Sequence, residues 1–202
     1  MRALVLAVVG GSLALLAGCG SSPDTRFYTL TTVPPVIKTA DRSSTPQLGV
    51  GIRSVVLPAE LDRPQIVTRT GPNTVNLAEF DRWSSPLRDS VANVIASNLT
   101  VLVPADRVVV YPWPPGVSLD YQVSVEVTRL DLRMDGPCAL EAWWRIQAKD
   151  QKSVVGRSSL SDQAGHDYAS VVAAKSRLIG ALSGEIAAAI RNGSPVTRQN
   201  PN

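Results

Sequence analysis

Reactive side chains are scarce in this chain. Its 202 residues include two cysteines, Cys19 and Cys138, and a single histidine, His166. Without a second histidine or a thiol cluster, neither a zinc site nor a Cys/His nucleophile pair can be assembled in the usual way, and no cofactor is expected. Charge of one sign is also missing. Twenty basic residues face 17 acidic ones, for a net charge of +3. No basic stripe emerges along the chain, which excludes nucleic acid as the expected partner. There is no internal repeat. The one long apolar run, from Ala3 to Leu16, is too short to cross a bilayer of ~30 Å as a permanent helix.

That run is informative for where it stands. It follows Met1-Arg2, is interrupted by Gly10, Gly11 and Ser12, and leads into Leu16-Ala17-Gly18-Cys19. A charged start, a secretory-sized apolar stretch and small residues before a cysteine resemble the signal and lipobox of bacterial lipoproteins. The resemblance implies cleavage before Cys19, diacylation of its thiol and acylation of the new amine. At ~0.8 kcal/mol per buried CH2, several chains hold a protein on a bilayer where one holds it only marginally. Gly20 stands where aspartate would be a signal for inner-membrane retention, so the outer membrane is the expected address. Residues 1–18 are then signal, 19–25 a lipidated tether, 26–192 one domain and 193–202 a disordered tail. Loss of the first 18 residues leaves 184, enough for one domain with a substantial core. Cys138 is left as a lone thiol with no internal partner, read as a small buried hydrophobe.

Arg26 to Leu30 reads as a first strand, followed by a proline-bearing loop from Thr31 to Gln47. Leu48 to Leu57 is a second strand, and Pro58 to Asp62 one helical turn. Gln65–Thr70 and Thr74–Phe80 form a hairpin around Gly71-Pro72-Asn73. Ser85-Pro86 opens a helix, serine as cap and proline at the first helical position, whose apolar face carries Leu87, Val91, Ile95, Leu99 and Leu102. Arg107 to Trp113 is a strand. Tyr121 to Thr128 and Leu140 to Gln147 alternate apolar and polar residues as two strands with one wet face each. A two-residue turn at Asp135-Gly136 would set Val127 opposite Trp144 and Glu126 opposite Arg145. Leu130 and Leu132 break the alternation. Either a bulge near Arg129 turns them inward, or they join Trp143 in an outer apolar patch. Val154 to Leu160 is a last strand, and Asp167 caps a long closing helix stopped by Asn192-Gly193. The expected fold is α+β: two layers, a largely antiparallel sheet with two long helices on one face.

Between Asp62 and Trp83 signs alternate: Asp62, Arg63, Gln65, Arg69, Glu79, Asp81, Arg82 and Trp83 gather around the expected hairpin. They are either a polar network holding loop to sheet or a docking face, for which Arg and Trp are favoured residue types. Paired carboxylates for glycoside chemistry are a third reading, with nothing nearby to mark a sugar cleft. The residues taken as partner-binding candidates are Arg63, Gln65, Arg69, Asp81, Arg82, Trp83 and Trp143.

Several stretches, taken in order, carry a family resemblance. They are Arg26-Phe27-Tyr28-Thr29-Leu30 just after the lipobox, Leu61-Asp62-Arg63-Pro64-Gln65-Ile66-Val67-Thr68-Arg69, and Glu79-Phe80-Asp81-Arg82-Trp83. Val108-Val109-Val110-Tyr111-Pro112-Trp113 and a closing helix opened by Asp167-Tyr168 complete the set. Together they resemble the PqiC-like auxiliary lipoproteins of ABC-type intermembrane transport systems. The resemblance implies a non-catalytic partner of MCE-domain periplasmic proteins and their inner-membrane transport subunits. Such a lipoprotein docks a lipid conduit at the outer membrane and supports membrane integrity. Ring-shaped partners are also compatible with a homo-oligomer. The alternative is a structural or pilotin-like lipoprotein of another envelope complex.

Overall fold

The computed structural model describes residues 22–33, 48–103, 105–150 and 152–192. The signal segment with Cys19, most of the proline-bearing loop and the tail after Asn192 lie outside them. The strands are β1 (Arg26–Tyr28), β2 (Leu48–Val56), β3 (Gln65–Gly71), β4 (Thr74–Trp83), β5 (Ala105–Val110), β6 (Tyr121–Asp131), β7 (Pro137–Ala148) and β8 (Ser153–Gln163). A 3-10 turn spans Ala59–Leu61, and two helices, α1 (Leu87–Leu102) and α2 (Tyr168–Asn192), complete the order.

The fold is mixed α+β, as the alternation and the two apolar helix faces imply. The strands divide into two sheets, β1-β4-β3 and β5-β2-β6-β7-β8. The β3–β4, β6–β7 and β7–β8 pairs are antiparallel, while β1–β4, β2–β5 and β2–β6 are parallel. The parallel pairs have a topological cause. A tight turn cannot join parallel neighbours, and after β2 the chain builds the β3–β4 hairpin and α1 before β5 returns beside it, the long crossover that a parallel pair requires.

Both helices cover one face of the five-stranded sheet, α1 against β2 and β5, α2 against β7 and β8, and they pack on each other. Asn98 Nδ2 donates to Ser183 Oγ at 3.2 Å across that helix contact. Asp167 caps α2 as expected: its Oδ1 accepts from the Ser170 amide at 2.7 Å. For α1 the cap position falls on Pro86, without a side-chain bond. Ser85 instead pairs with the Ser90 hydroxyl at 2.8 Å.

The β6–β7 register differs from the expected one by two residues. Val125 faces Trp144, Glu126 faces Trp143 and Val127 faces Ala142. A shift of two leaves every side chain on its own face and changes only its partner. One of the two residues is absorbed by a bulge between Val127 and Arg129, which turns Leu130 and Leu132 into the core. The other is taken up by a turn longer than Asp135-Gly136 alone.

The segment after β1 straps the two sheets' shared body together. Leu30 is buried, and the Thr31 amide donates to Ser176 Oγ at 3.1 Å. At Gly180 on α2 any side chain would overlap the Val33 carbonyl, so a glycine there lets the strap lie on the helix.

Candidate functional site

Strand alternation decides where the hairpin candidates go. Along β4, Asp81 and Trp83 point inward and Arg82 outward, so residues adjacent in sequence end on opposite faces. Asp81 is 4% exposed and serves the polar network: its Oδ1 accepts from Tyr28 Oη at 2.7 Å and its Oδ2 from Arg26 at 3.0 Å. Trp83 is 5% exposed, beneath the Lys175 ammonium, whose Nζ stands 4.6 Å from the ring centroid. Neither belongs to an outer docking face, which corrects their assignment as contact residues. Arg82 and Gln65 face each other across β3–β4 on the outward side, half-buried. Arg63 Nε is buried without a hydrogen-bond partner among the described residues, at a pocket of about 370 Å³ bounded by Trp83, Pro86 and Leu87.

Arg69 joins a different network, at the junction between the sheets. Its amide donates to the Leu132 carbonyl at 2.7 Å and its Nε to Asp131 Oδ1 at 2.8 Å. Asp131 also accepts from Arg129 at 2.7 Å; Arg129 reaches Glu141 at 3.2 Å, and Glu141 takes Arg157 at 2.9 Å. Partial burial works to raise the Asp131 carboxyl, and the Arg129 and Arg69 guanidiniums outweigh it, holding it below the usual carboxylate value. Glu141 is likewise lowered, by Arg157 first and Arg129 second. Arg129, Asp131 and Glu141 line a cleft of about 370 Å³ beside Arg69 and Val75. Each carboxylate here is committed to two arginines, an arrangement suited to fixing a surface rather than to moving protons.

The chain of charges ends at Trp143. Arg157 lies 5.7 Å from its ring centroid, and Trp143 is 47% exposed on the face opposite the helices. Val155 and Val56 are exposed on strands of the same sheet. This wet face therefore carries a fixed indole among ordered arginines, an interaction surface in composition.

Reading by sequence missed Arg129, Glu141 and Arg157, whose partnership needs three strands in register. It also missed Lys175, for which a signal existed: the residue stands four after Val171 and three before Leu178, within the apolar stripe of α2. Burial lowers its pKa to about 7. Among the described residues no group of three or more His, Cys, Asp or Glu side chains is placed to hold a metal, and no helix is long and apolar enough to cross a membrane.

Comparison with known proteins places this geometry. The model of a family described as "ABC-type transport auxiliary lipoprotein component" matches residues 28–187. The chain is 27% identical over 139 residues to the intermembrane transport lipoprotein PqiC of Escherichia coli K12, covering 67% of this chain and 71% of PqiC, and equally to that of Shigella flexneri. A solved protein from Xanthomonas campestris shares the fold with a TM-score of 0.64 at 14% identity, covering 84% of this chain and all of that one. A second, uncharacterized solved protein gives 0.65 at 21% identity over 83% of this chain and 99% of its own.

Proposed function

Because the chain belongs to the family of ABC-type transport auxiliary lipoprotein components, we propose that it is a non-catalytic subunit of an MCE-type intermembrane lipid-transport system. Acyl chains on Cys19 hold it at the periplasmic face of the outer membrane. There it docks the MCE-domain conduit, whose inner-membrane subunits complete the system, and supports membrane integrity. The likeness to PqiC, named for intermembrane transport, supports the system. Gly20 after the cysteine supports the membrane. A ring of several copies would match a ring-shaped conduit.

The observation that carries docking is the exposed, arginine-held Trp143 on the sheet face the helices leave uncovered. Trp143→Ala removes a rim-supported aromatic without touching the core. It is expected to reduce recovery of the MCE partner in pull-downs from detergent-solubilised membranes, with the melting temperature within about 2 °C of the parent. Lost melting temperature with unchanged recovery would assign the ring to stability instead. Recovery of a secretin or pilus subunit in place of an MCE protein would transfer the chain to the pilotin-like reading. In the same experiment Cys19→Ala is expected to leave the outer-membrane fraction; if it stays there, acylation is not what places the protein.

A further inference from the structure

The tether sets a geometric limit on which part of the domain meets the bilayer. From Cys19 to Phe27 is eight residues, at most ~29 Å of fully extended chain. Residues 22–25 are exposed and outside any helix or strand, so β1 is the first regular element among the described residues. On β1, Arg26 and Tyr28 both bond Asp81, Arg26 from an exposed position, while Phe27 points to the other face of the strand. Phe27 is 67% exposed, the most exposed large apolar side chain among the described residues. Its partner across the parallel pair is Arg82, and Arg82 in turn faces Gln65. Among the described residues Arg82 has no carboxylate partner; its Nε makes a long 3.4 Å bond to the Glu79 carbonyl. The row therefore presents a bare aromatic ring, a guanidinium with donors to spare and an amide, at the end of a short leash.

We infer that this outward face of the three-stranded sheet, Phe27–Arg82–Gln65, rests on the anionic headgroups of the leaflet that holds the acyl chains. An exposed apolar ring such as that of phenylalanine enters the boundary between headgroups and acyl chains, and arginine offers paired donors to lipid phosphate while its stem stays against apolar surface. One ring and one guanidinium make too little area for a stable protein interface. On a surface where acyl chains already confine the domain, the second contact is effectively intramolecular, and so small a patch suffices. This inference rests on the acylation of Cys19 and adds an orientation: the sheet edge at β1 faces the bilayer.

The test uses the acylated full-length chain with Phe27→Cys carrying an environment-sensitive NBD dye, reconstituted in vesicles of phosphatidylethanolamine and phosphatidylglycerol. Phe27 is exposed, so the substitution leaves the core untouched; Cys138 is buried. The expected result is a blue-shifted emission, quenched by headgroup spin-labelled lipid several-fold more than the same dye at Val155→Cys. Adding Arg82→Glu, or replacing phosphatidylglycerol with phosphatidylcholine, is expected to return the emission toward that of water. A water-like dye on protein that still floats with the vesicles overturns the orientation and leaves the anchor standing. A blue shift already present without vesicles, or appearing only when an MCE partner is added, overturns it in favour of another segment of this chain or of a protein occupant. If the unlabelled parent fails to float and mass spectrometry finds an unmodified amino terminus, the anchor itself is refuted.

Discussion

Lys175→Met is expected to raise the unfolding free energy at pH 7 by roughly 1–3 kcal/mol and to flatten its pH dependence. Lys175 is 1% exposed on α2, and its Nζ has the Trp83 ring beneath it and no carboxylate within ion-pair distance among the described residues. Burial lowers its pKa to about 7, against a smaller upward pull from Cys138. Between that value and its ordinary one of 10.5, the unfolded chain holds a proton that the folded chain has released. Unfolding then takes up a proton, so raising the pH through this window opposes unfolding and stability climbs. Below pH 7 both states are protonated and the contribution is flat. Methionine matches the length of the lysine stem and has nothing to desolvate. Denaturant titrations of both proteins at pH 7 and about pH 8.5 should show the parent gaining roughly 1–2 kcal/mol on the variant, at ~1.4 kcal/mol per unit. Higher pH is less informative because burial also raises the Cys138 thiol, whose folded state resists ionisation and so loses stability there. Parallel profiles for the two proteins would mean that Lys175 keeps its ordinary proton.

Gly156→Ala should cost about 3 kcal/mol, the sum of overpacking and a disturbed buried hydrogen bond. Gly156 lies directly across from Trp144 in the β7–β8 pair, and a methyl group on it would overlap the six-membered ring of the indole. The ring has nowhere to go. Its Nε1 donates to Ser158 Oγ at 3.0 Å, and that hydroxyl donates to Glu185 Oε2 at 2.6 Å on α2. Moving the indole breaks a chain that ties two strands to the closing helix. The loss appears as a lower denaturation midpoint. Pairing the change with Trp144→Leu distinguishes this cause from a weakened strand: the double variant should be markedly less destabilised than the two single costs added together. Additive costs would mean that Gly156 acts through backbone freedom alone.

The elements themselves were readable because each advertises itself locally. Asp167 stands one residue before an apolar stripe, Gly71-Pro72-Asn73 separates two β-rich runs, and Leu130 and Leu132 fall out of phase where the bulge occurs. The partition into two sheets was not readable. β2 pairs in parallel with β5 and β6, strands reached only after a hairpin and a helix or more, and no neighbouring residue encodes that choice. The candidate surface divides along the same line. Trp143 was legible from plain alternation in β7. Asp81, Trp83 and Arg82 were grouped by closeness in sequence, and a strand separates such neighbours. Lys175 hid because a charged residue in an apolar stripe invites the assumption that it reaches solvent, whereas the Trp83 ring closes over it.

The pairing of β1 with β4 has a mechanical meaning if, as proposed above, the domain hangs by its amino-terminal end. The strand beside the tether runs parallel to β4, and Arg26 and Tyr28 both fasten it to Asp81. Tension along the strand axis loads these bonds together, and beyond them the strap over α2. A load shared in shear is borne by all its members at once, whereas a peeled hairpin yields one rung at a time. A pull arriving at the amino-terminal end of this domain would thus meet its grip at once, in Arg26 and Tyr28 on Asp81.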